Sequence, residues 1–87
     1  MPAQHPPALP LPLAGEGVAV RLVAVGGGQR AARRLAELGL TPGVALTVLR
    51  DSGGTLLIAV GDTRLALGYG LAHGVLVTPL ERSPSDA

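Results

Sequence analysis

The chain has 87 residues and a mass of 8.7 kDa, which suffices for one small domain and excludes a second. Apolar residues make up 47% of it, yet Phe and Trp are absent and Tyr69 is the only aromatic residue, so Val, Leu, Ile and Ala must fill the core. Seven arginines and six acidic residues give a formal net charge of +1, which is too small for the broad positive field of non-specific nucleic-acid binding. The absence of cysteine excludes disulfides and thiolate metal sites.

The N-terminal segment is rich in proline. Five of the first twelve residues are prolines, which favours a flexible, extended arm over residues 1–10. The longest uncharged stretch, residues 65–80, is broken by glycines and is shorter than the roughly 20 apolar residues of a membrane-spanning helix. We therefore expect no membrane insertion, a folded domain over residues 11–80 and a flexible tail over residues 81–87.

The folded part begins with a predicted strand and a predicted helix. Val18–Val25 is rich in β-branched residues and alternates in polarity, which predicts a half-buried strand. Three consecutive glycines end this strand. Gln29–Leu38 then predicts an amphipathic helix whose apolar stripe consists of Ala31, Leu35 and Leu38.

The end of this helix has a clear sequence pattern. Gly39 is suited to the left-handed position after the last helical turn, where Leu40 packs back on Leu35. Pro42 prevents the helix from resuming. We therefore expect a sharp change of chain direction at residues 38–43.

Further strands follow, separated by short glycine-containing links. Gly61-Asp62 predicts a type II′ hairpin, because this turn needs glycine at its first central position. Residues 68–74 have room for one short helical turn. The predicted strands are Val44–Arg50, Thr55–Val60, Thr63–Leu67 and Val75–Thr78, and the predicted inward residues of the hairpin are Leu56, Ile58, Val60, Leu65 and Leu67. The pattern is typical of a mainly β fold, a small, partly open barrel of five strands with one α-helix after the first strand and a short helical turn before the last.

Two stretches carry a resemblance to a known family. The sequence RRLAELGLTPG at residues 33–43, followed by GDTRLAL at residues 61–67, resembles the FeoA family of small ferrous-iron transport proteins. The resemblance covers about residues 11–79, and its most specific part is the string at the helix end. It implies an SH3-like barrel, a cytoplasmic location with recruitment to the inner face of the membrane by a partner, and a non-enzymatic role.

The resemblance also implies a partner. Family members assist FeoB, the membrane transporter of ferrous iron, so we expect an accessory protein that binds and modulates the cytosolic part of FeoB. The alternative is an SH3-like regulatory module resembling the C-terminal domain of iron-dependent repressors, acting through another protein. Because base-stacking aromatic residues are lacking, we expect no nucleic-acid partner.

An arginine-rich helix and the corner after it are the predicted contact surface. Guanidinium groups bind carboxylates in a bidentate manner, which suits docking to acidic loops. Two plainer interpretations stay open: a solvated face balanced by Glu37, and a corner that only ends the helix. The predicted partner-binding residues are Arg30, Arg33, Arg34, Leu40, Thr41, Pro42 and Gly43.

Metal binding, catalysis and self-association have weaker sequence support. His73 and His5 are weak metal-ligand candidates, since neither belongs to a set of three or four spaced ligands. We expect no required cofactor, although adventitious binding of a divalent metal at the surface stays open. Ser52 and Ser83 have no nearby histidine, which argues against an enzyme. Pairing of two copies through an exposed Leu or Val face at a sheet edge also stays open.

Overall fold

The computed structural model describes residues 8–80. In these residues the chain forms one antiparallel sheet of six strands. In chain order the elements are β1 Leu9–Pro10, a 3-10 turn Leu11–Leu13, β2 Ala19–Val25, α1 Gly28–Glu37, β3 Ala45–Asp51, β4 Thr55–Val60, β5 Thr63–Gly68, α2 Tyr69–Ala72 and β6 Val75–Pro79. Across the sheet the order is β1-β6-β2-β3-β4-β5, so β1 and β5 are its edges. The predicted tail over residues 81–87 and residues 1–7 of the predicted arm, including His5, lie outside the described residues.

The core is aliphatic, as the composition predicts. Alternation along β2, β4 and β6 points every second side chain inward, because successive strand residues face opposite sides of the sheet. Within residues 8–80 no polar or charged residue is buried. The buried residues are Leu11, Val20, Leu22, Leu35, Leu40, Leu46, Val48, Leu56, Ile58, Leu67, Ala72, Val75 and Val77.

The predicted number of strands is one too low. All five predicted strands are present, and a sixth, β1, lies inside the segment that the prolines mark as an arm. Leu9 pairs with Val77 and Pro10 with Leu76 on β6. Proline lacks an N–H group and is tolerated mainly on edge strands, which is where β1 lies. Proline-rich composition therefore concealed a short edge strand.

The β4–β5 hairpin has the predicted turn. Val60 pairs with Thr63 across the two-residue link. Gly61 has a φ of +59°, while no residue other than glycine in the described chain has a positive φ, so Asp62 has a negative one. This combination of signs matches a type II′ turn and excludes type I′, which needs positive φ at both central residues.

Two register shifts in the sheet place apolar side chains on its outer surface. The pairing of β2 with β6 shifts between Leu22 and Ala24, and that of β3 with β4 shifts between Val48 and Arg50. Such bulges bend a strand and increase its twist, which helps a single sheet to curl around one core. The intervening residues Val23 and Leu49 are exposed.

The two helices are short. The helix α1 has ten residues and α2 has four, and α2 occupies the segment predicted to form one helical turn. Between residues 8 and 80 no helix combines the length and the apolar character needed to cross a bilayer.

Candidate functional site

The helix α1 presents a row of arginines to solvent. Leu35 is its only buried residue, so a single side chain anchors the helix to the core. Arg30, Arg33 and Arg34 are exposed, and their spacing of three and four residues places them on one side of the helix. We call these three residues the arginine face. Their predicted exposure is confirmed, and their guanidinium groups are accessible to a partner.

A shallow depression lies beside the arginine face. It has a volume of about 330 Å³ and is lined by Gln29, Arg30 and Arg33. Small-molecule pockets of this size are usually concave and lined mainly by apolar side chains. The residues that line this depression carry an amide and two guanidinium groups, which suit carboxylate groups on a protein surface.

The end of α1 is fixed by the hydrogen bonds that the sequence pattern predicts. The Gly39 N–H donates to the Ala36 carbonyl and the Leu40 N–H to the Leu35 carbonyl, both at 2.9 Å. Gly39 has a φ of +89°, the left-handed conformation that an L side chain rarely adopts. This arrangement is a Schellman motif, in which Leu40 turns back into the core beside Leu35.

Burial of Leu40 requires a correction to the predicted contact surface. Leu40 is only 1% exposed, so it anchors the turn from within and cannot be presented to a partner. Conversely, Leu38 was expected on the buried stripe but is 39% exposed. The reason is that α1 ends at Glu37 and the motif reverses the chain, which substitutes Leu40 for Leu38 as the apolar anchor.

The corner after α1 is held against β2. The Gly43 N–H donates to the Leu22 carbonyl at 2.7 Å, and the Leu22 N–H donates to the Val44 carbonyl at 2.9 Å. The Arg21 guanidinium donates through one terminal nitrogen to the Gly43 carbonyl at 2.9 Å. We call residues 41–43, which are all exposed, the corner. Both backbone groups of Gly43 are bonded to residues of β2, so the corner offers a rigid surface after the helix that carries the arginine face.

Sequence reasoning did not identify the roles of Arg21 and Leu38. Alternation along β2 predicts that Arg21 points outward, but its bond partner, Gly43, lies 22 residues away. Leu38 is the first residue after α1 and is 39% exposed. The structure therefore places an exposed apolar side chain at the end of the helix that carries the arginine face.

A second polar cluster lies where α2 meets the β3–β4 turn. The Tyr69 hydroxyl donates to Oδ1 of Asp51 at 2.6 Å, and the Gly53 N–H donates to the same oxygen at 2.9 Å. Oε2 of Glu16 accepts from the Asp51 N–H at 2.7 Å. The Tyr69 N–H donates to the Gly54 carbonyl at 3.0 Å. These bonds fix α2 to the turn, so the cluster has a structural explanation.

The same bonds shift two pKa values in opposite directions. The hydrogen bond from Tyr69, with a smaller contribution from the Gly53 N–H, lowers the pKa of Asp51 because both favour the carboxylate. The bond to Asp51 raises the pKa of Tyr69 because it favours the protonated phenol. At neutral pH the pair is a carboxylate accepting from a neutral tyrosine.

The structure shows the surroundings of one of the two predicted metal-ligand candidates, His73. Across residues 8–80, no group of three or more His, Cys, Asp or Glu side chains is placed to hold a metal ion. His73 is exposed on the turn after α2, where its ring meets that of Tyr69 edge-to-face at a centroid distance of 5.9 Å. A surface histidine of this kind offers one nitrogen ligand, whereas a tight transition-metal site needs several.

Comparison with known proteins places this chain among small iron-transport proteins. The FeoA domain matches residues 9–79. A protein of Methanocaldococcus jannaschii named as a Fe(2+) transport protein A is 33% identical over 72 residues, which span 83% of this chain and 88% of that protein. The crystal structure of an iron uptake regulatory protein, FeoA, matches with a TM-score of 0.77 and 41% identity over 84% of this chain and 97% of the other.

Two further solved structures define the fold. The Stenotrophomonas maltophilia FeoA complexed with zinc, described as a procaryotic SH3 domain protein, is 28% identical with a TM-score of 0.69 over 84% of this chain and 96% of that one. A manganese-dependent transcriptional repressor matches with a TM-score of 0.77 and 24% identity over 88% of this chain but only 44% of its own. The prediction of an SH3-like barrel is thereby confirmed, and the repressor likeness shows the fold alone.

Proposed function

The chain belongs to the FeoA family, and from this membership we propose that it is an accessory protein of ferrous-iron uptake that binds the cytosolic part of the FeoB transporter and modulates it. The proposed contact surface is the arginine face together with the exposed corner and Leu38. In this role the chain binds and performs no chemistry of its own. We place it in the cytoplasm, recruited by its partner to the inner face of the membrane.

The observation that carries the proposed surface is the exposure of three arginines on a helix with a single buried side chain. Arginine side chains form two parallel hydrogen bonds with a carboxylate, which gives geometric specificity as well as attraction. Arg30 and Arg33 line a depression that stays accessible in the isolated chain. An acidic loop or helix on the transporter fits this surface by charge.

The corner adds shape to this charged surface. Its backbone is bonded to β2 through Gly43, and the Arg21 side chain supports it from the sheet. A rigid contact loses little conformational entropy on binding, so the corner can serve as a preorganised contact next to the more flexible arginines. Leu38, 39% exposed, supplies an apolar side chain between the two.

Direct binding with charge-reversal variants tests the proposal. We would measure binding of the full chain to the isolated cytosolic GTPase domain of the cognate FeoB and to the full-length transporter in detergent. The double variant Arg33→Glu/Arg34→Glu reverses two charges on the arginine face. We expect it to bind at least about tenfold more weakly, since like charges then face the acidic partner.

A matched control separates position from net charge. The variant Arg50→Glu/Arg64→Glu makes the same change in net charge at two exposed positions on β3 and β5, away from α1. We expect it to keep most of the affinity, and circular dichroism must show both variants folded. An equal loss of affinity in both variants would show that net charge alone causes the loss and would contradict the proposed surface. Absence of binding by the unaltered chain in both assays would refute the proposal.

The repressor-like alternative has less support. The likeness to a manganese-dependent repressor lies below 25% identity and covers less than half of that protein, so it supports a shared barrel and no shared partner. The FeoA relatives, in contrast, match over nearly their whole length. We therefore propose the transporter as partner and not a DNA-binding protein.

A further inference from the structure

The strand β5 forms an open edge of the sheet. Its neighbour β4 pairs with it over all six residues, from Thr63 to Gly68, and nothing in the sheet lies on its other side. The Val60–Thr63 pair closes a two-residue hairpin and is therefore a hydrogen-bonded pair. Because such pairs alternate in an antiparallel ladder, the backbone groups of the second, fourth and sixth residues of β5 point to the open edge. These residues are Arg64, Ala66 and Gly68.

This edge has little of the usual protection against strand pairing. Natural edge strands are commonly guarded by proline, by charged side chains such as lysine, by a bulge or by very short length. The six residues of β5 contain no proline and no lysine, and their pairing with β4 has no register shift. Arg64 is the only charged residue of the strand.

The outer surface beside this edge carries an apolar stripe, bordered by the exposed Arg64 on β5 and by the exposed Arg50, which pairs with Leu57. Ala66, exposed on β5, pairs with Leu57 on β4, and Leu57 is 37% exposed. Leu49 lies on β3 at the register shift next to Leu57 and is 38% exposed. The three side chains form an apolar stripe that runs to the open edge.

We propose that two copies of this chain associate by antiparallel pairing of their β5 strands about a two-fold axis at Ala66. In this register Ala66 faces the partner's Ala66, and Leu65 faces the partner's Leu67. The two apolar stripes then become continuous across the axis, because each ends at Ala66. The partner is thus a second copy of the chain, and the two sheets form one.

Charge does not oppose a second copy at this edge. The register places Arg64 opposite the partner's Gly68, so the only charges on the two strands do not face each other. Gly68 leaves room for the arginine, since a Cβ added there meets nothing within 4 Å. The formal net charge of the whole chain is only +1, so repulsion between copies is weak.

The edge is tested by the mass of the full chain in solution, measured by sedimentation velocity over a wide concentration range. We expect a monomer–dimer equilibrium in which Ala66→Arg raises the dissociation constant at least tenfold, because it places two like charges at the axis. Thr63→Arg is the matched control, since it adds the same charge to the same strand outside the paired residues. We expect this control to leave the dissociation constant unchanged.

A backbone variant and hydrogen exchange provide an independent test. Ala66→Pro removes an N–H that points to the open edge and is not used by β4, so it should abolish pairing while the variant remains folded. In the unaltered chain, the amides of Arg64, Ala66 and Gly68 should gain protection as concentration rises. A chain that stays monomeric at all concentrations, or a dimer that neither Ala66 variant weakens, would overturn the proposal.

Discussion

The hydrogen bond between Tyr69 and Asp51 makes a pH-dependent contribution to stability at the residue scale. The bond lowers the pKa of Asp51. Its contribution to the free energy of unfolding is therefore present above the ordinary carboxyl pKa of about 3.9 and is lost as the pH falls through the lowered pKa of Asp51. The same bond raises the pKa of Tyr69. Its contribution to the free energy of unfolding is therefore also present below about pH 10 and is lost as the pH rises through the raised pKa of Tyr69. The bond therefore acts across the neutral range.

The variant Tyr69→Phe tests this bond. Removing the hydroxyl removes the main cause of the shift, so the pKa of Asp51 should rise toward its ordinary value. The measurement is an NMR titration of the Asp51 side-chain carboxyl carbon. In the control His73→Ala, which removes the ring beside Tyr69 but keeps the bond, the Asp51 pKa should stay where it is. An unchanged Asp51 pKa in Tyr69→Phe would contradict the assignment.

Two leucines at the end of α1 are expected to differ strongly in their effect on stability. Leu40→Ala leaves a cavity at a position only 1% exposed and should lower the free energy of unfolding by about 2–5 kcal/mol. Leu38→Ala acts at a position 39% exposed and should cost about 0.5 kcal/mol. Urea unfolding of both variants measures the difference. Similar losses in the two would mean that Leu38 shares the core.

At the scale of elements, the end of α1 decides where the arginine face lies. An isolated ten-residue helix is marginal in water, and α1 has only Leu35 buried, so its orientation depends on the Schellman motif. Gly39→Ala forces an L side chain into the left-handed conformation and should cost about 1–2 kcal/mol. Thermal or urea unfolding measures this loss.

A second glycine provides the control for this substitution. Gly54 has no positive φ, and a Cβ added there meets nothing within 4 Å, so Gly54→Ala should change stability by about 0.5 kcal/mol or less. If both glycine variants lose the same stability, the left-handed φ at Gly39 is not the cause. A selective loss at Gly39 supports the helix end as the element that positions the arginine face.

The sequence was informative wherever a local pattern decides the structure. Alternation along the first strand and the glycine-containing links between the others located all five predicted strands, and the glycine, leucine and proline of the helix end predicted the Schellman motif at Gly39. Local patterns failed where residues that are distant in the sequence determine the structure. Pro10 becomes a strand residue only because β6 lies beside it, and Arg21 holds a carbonyl 22 residues away.

The same distinction explains the errors at the candidate site. The stripe of Ala31, Leu35 and Leu38 follows from helical periodicity, which cannot tell that the helix ends one residue before Leu38. Because the chain reverses at Gly39, Leu40 is buried in the core and Leu38 is exposed at the surface. The exposure of Arg30, Arg33 and Arg34 was predictable, since charged residues are almost never fully buried without a partner.

At the scale of the whole molecule, the barrel separates two kinds of surface. The arginine face lies on α1 and the corner follows it, both between β2 and β3 in the chain. The open edge at β5 lies at the far end of the sheet from β1 and is separated from β2 by β3 and β4. The proposed transporter contact through α1 and the proposed self-contact through β5 thus involve different elements.

The most direct test of the central claim, that the arginine face and the corner form the partner-binding surface, is an NMR map of the contact. The full chain, labelled with nitrogen-15, is titrated with the unlabelled cytosolic domain of the cognate FeoB, and backbone amide shifts are followed. We predict that the shifted or broadened amides cluster at residues 29–34, at Leu38, and at Thr41 and Gly43, the two residues of the corner that carry a backbone N–H. Changes confined to β4, β5 and α2, or no change at saturating partner concentration, would contradict it.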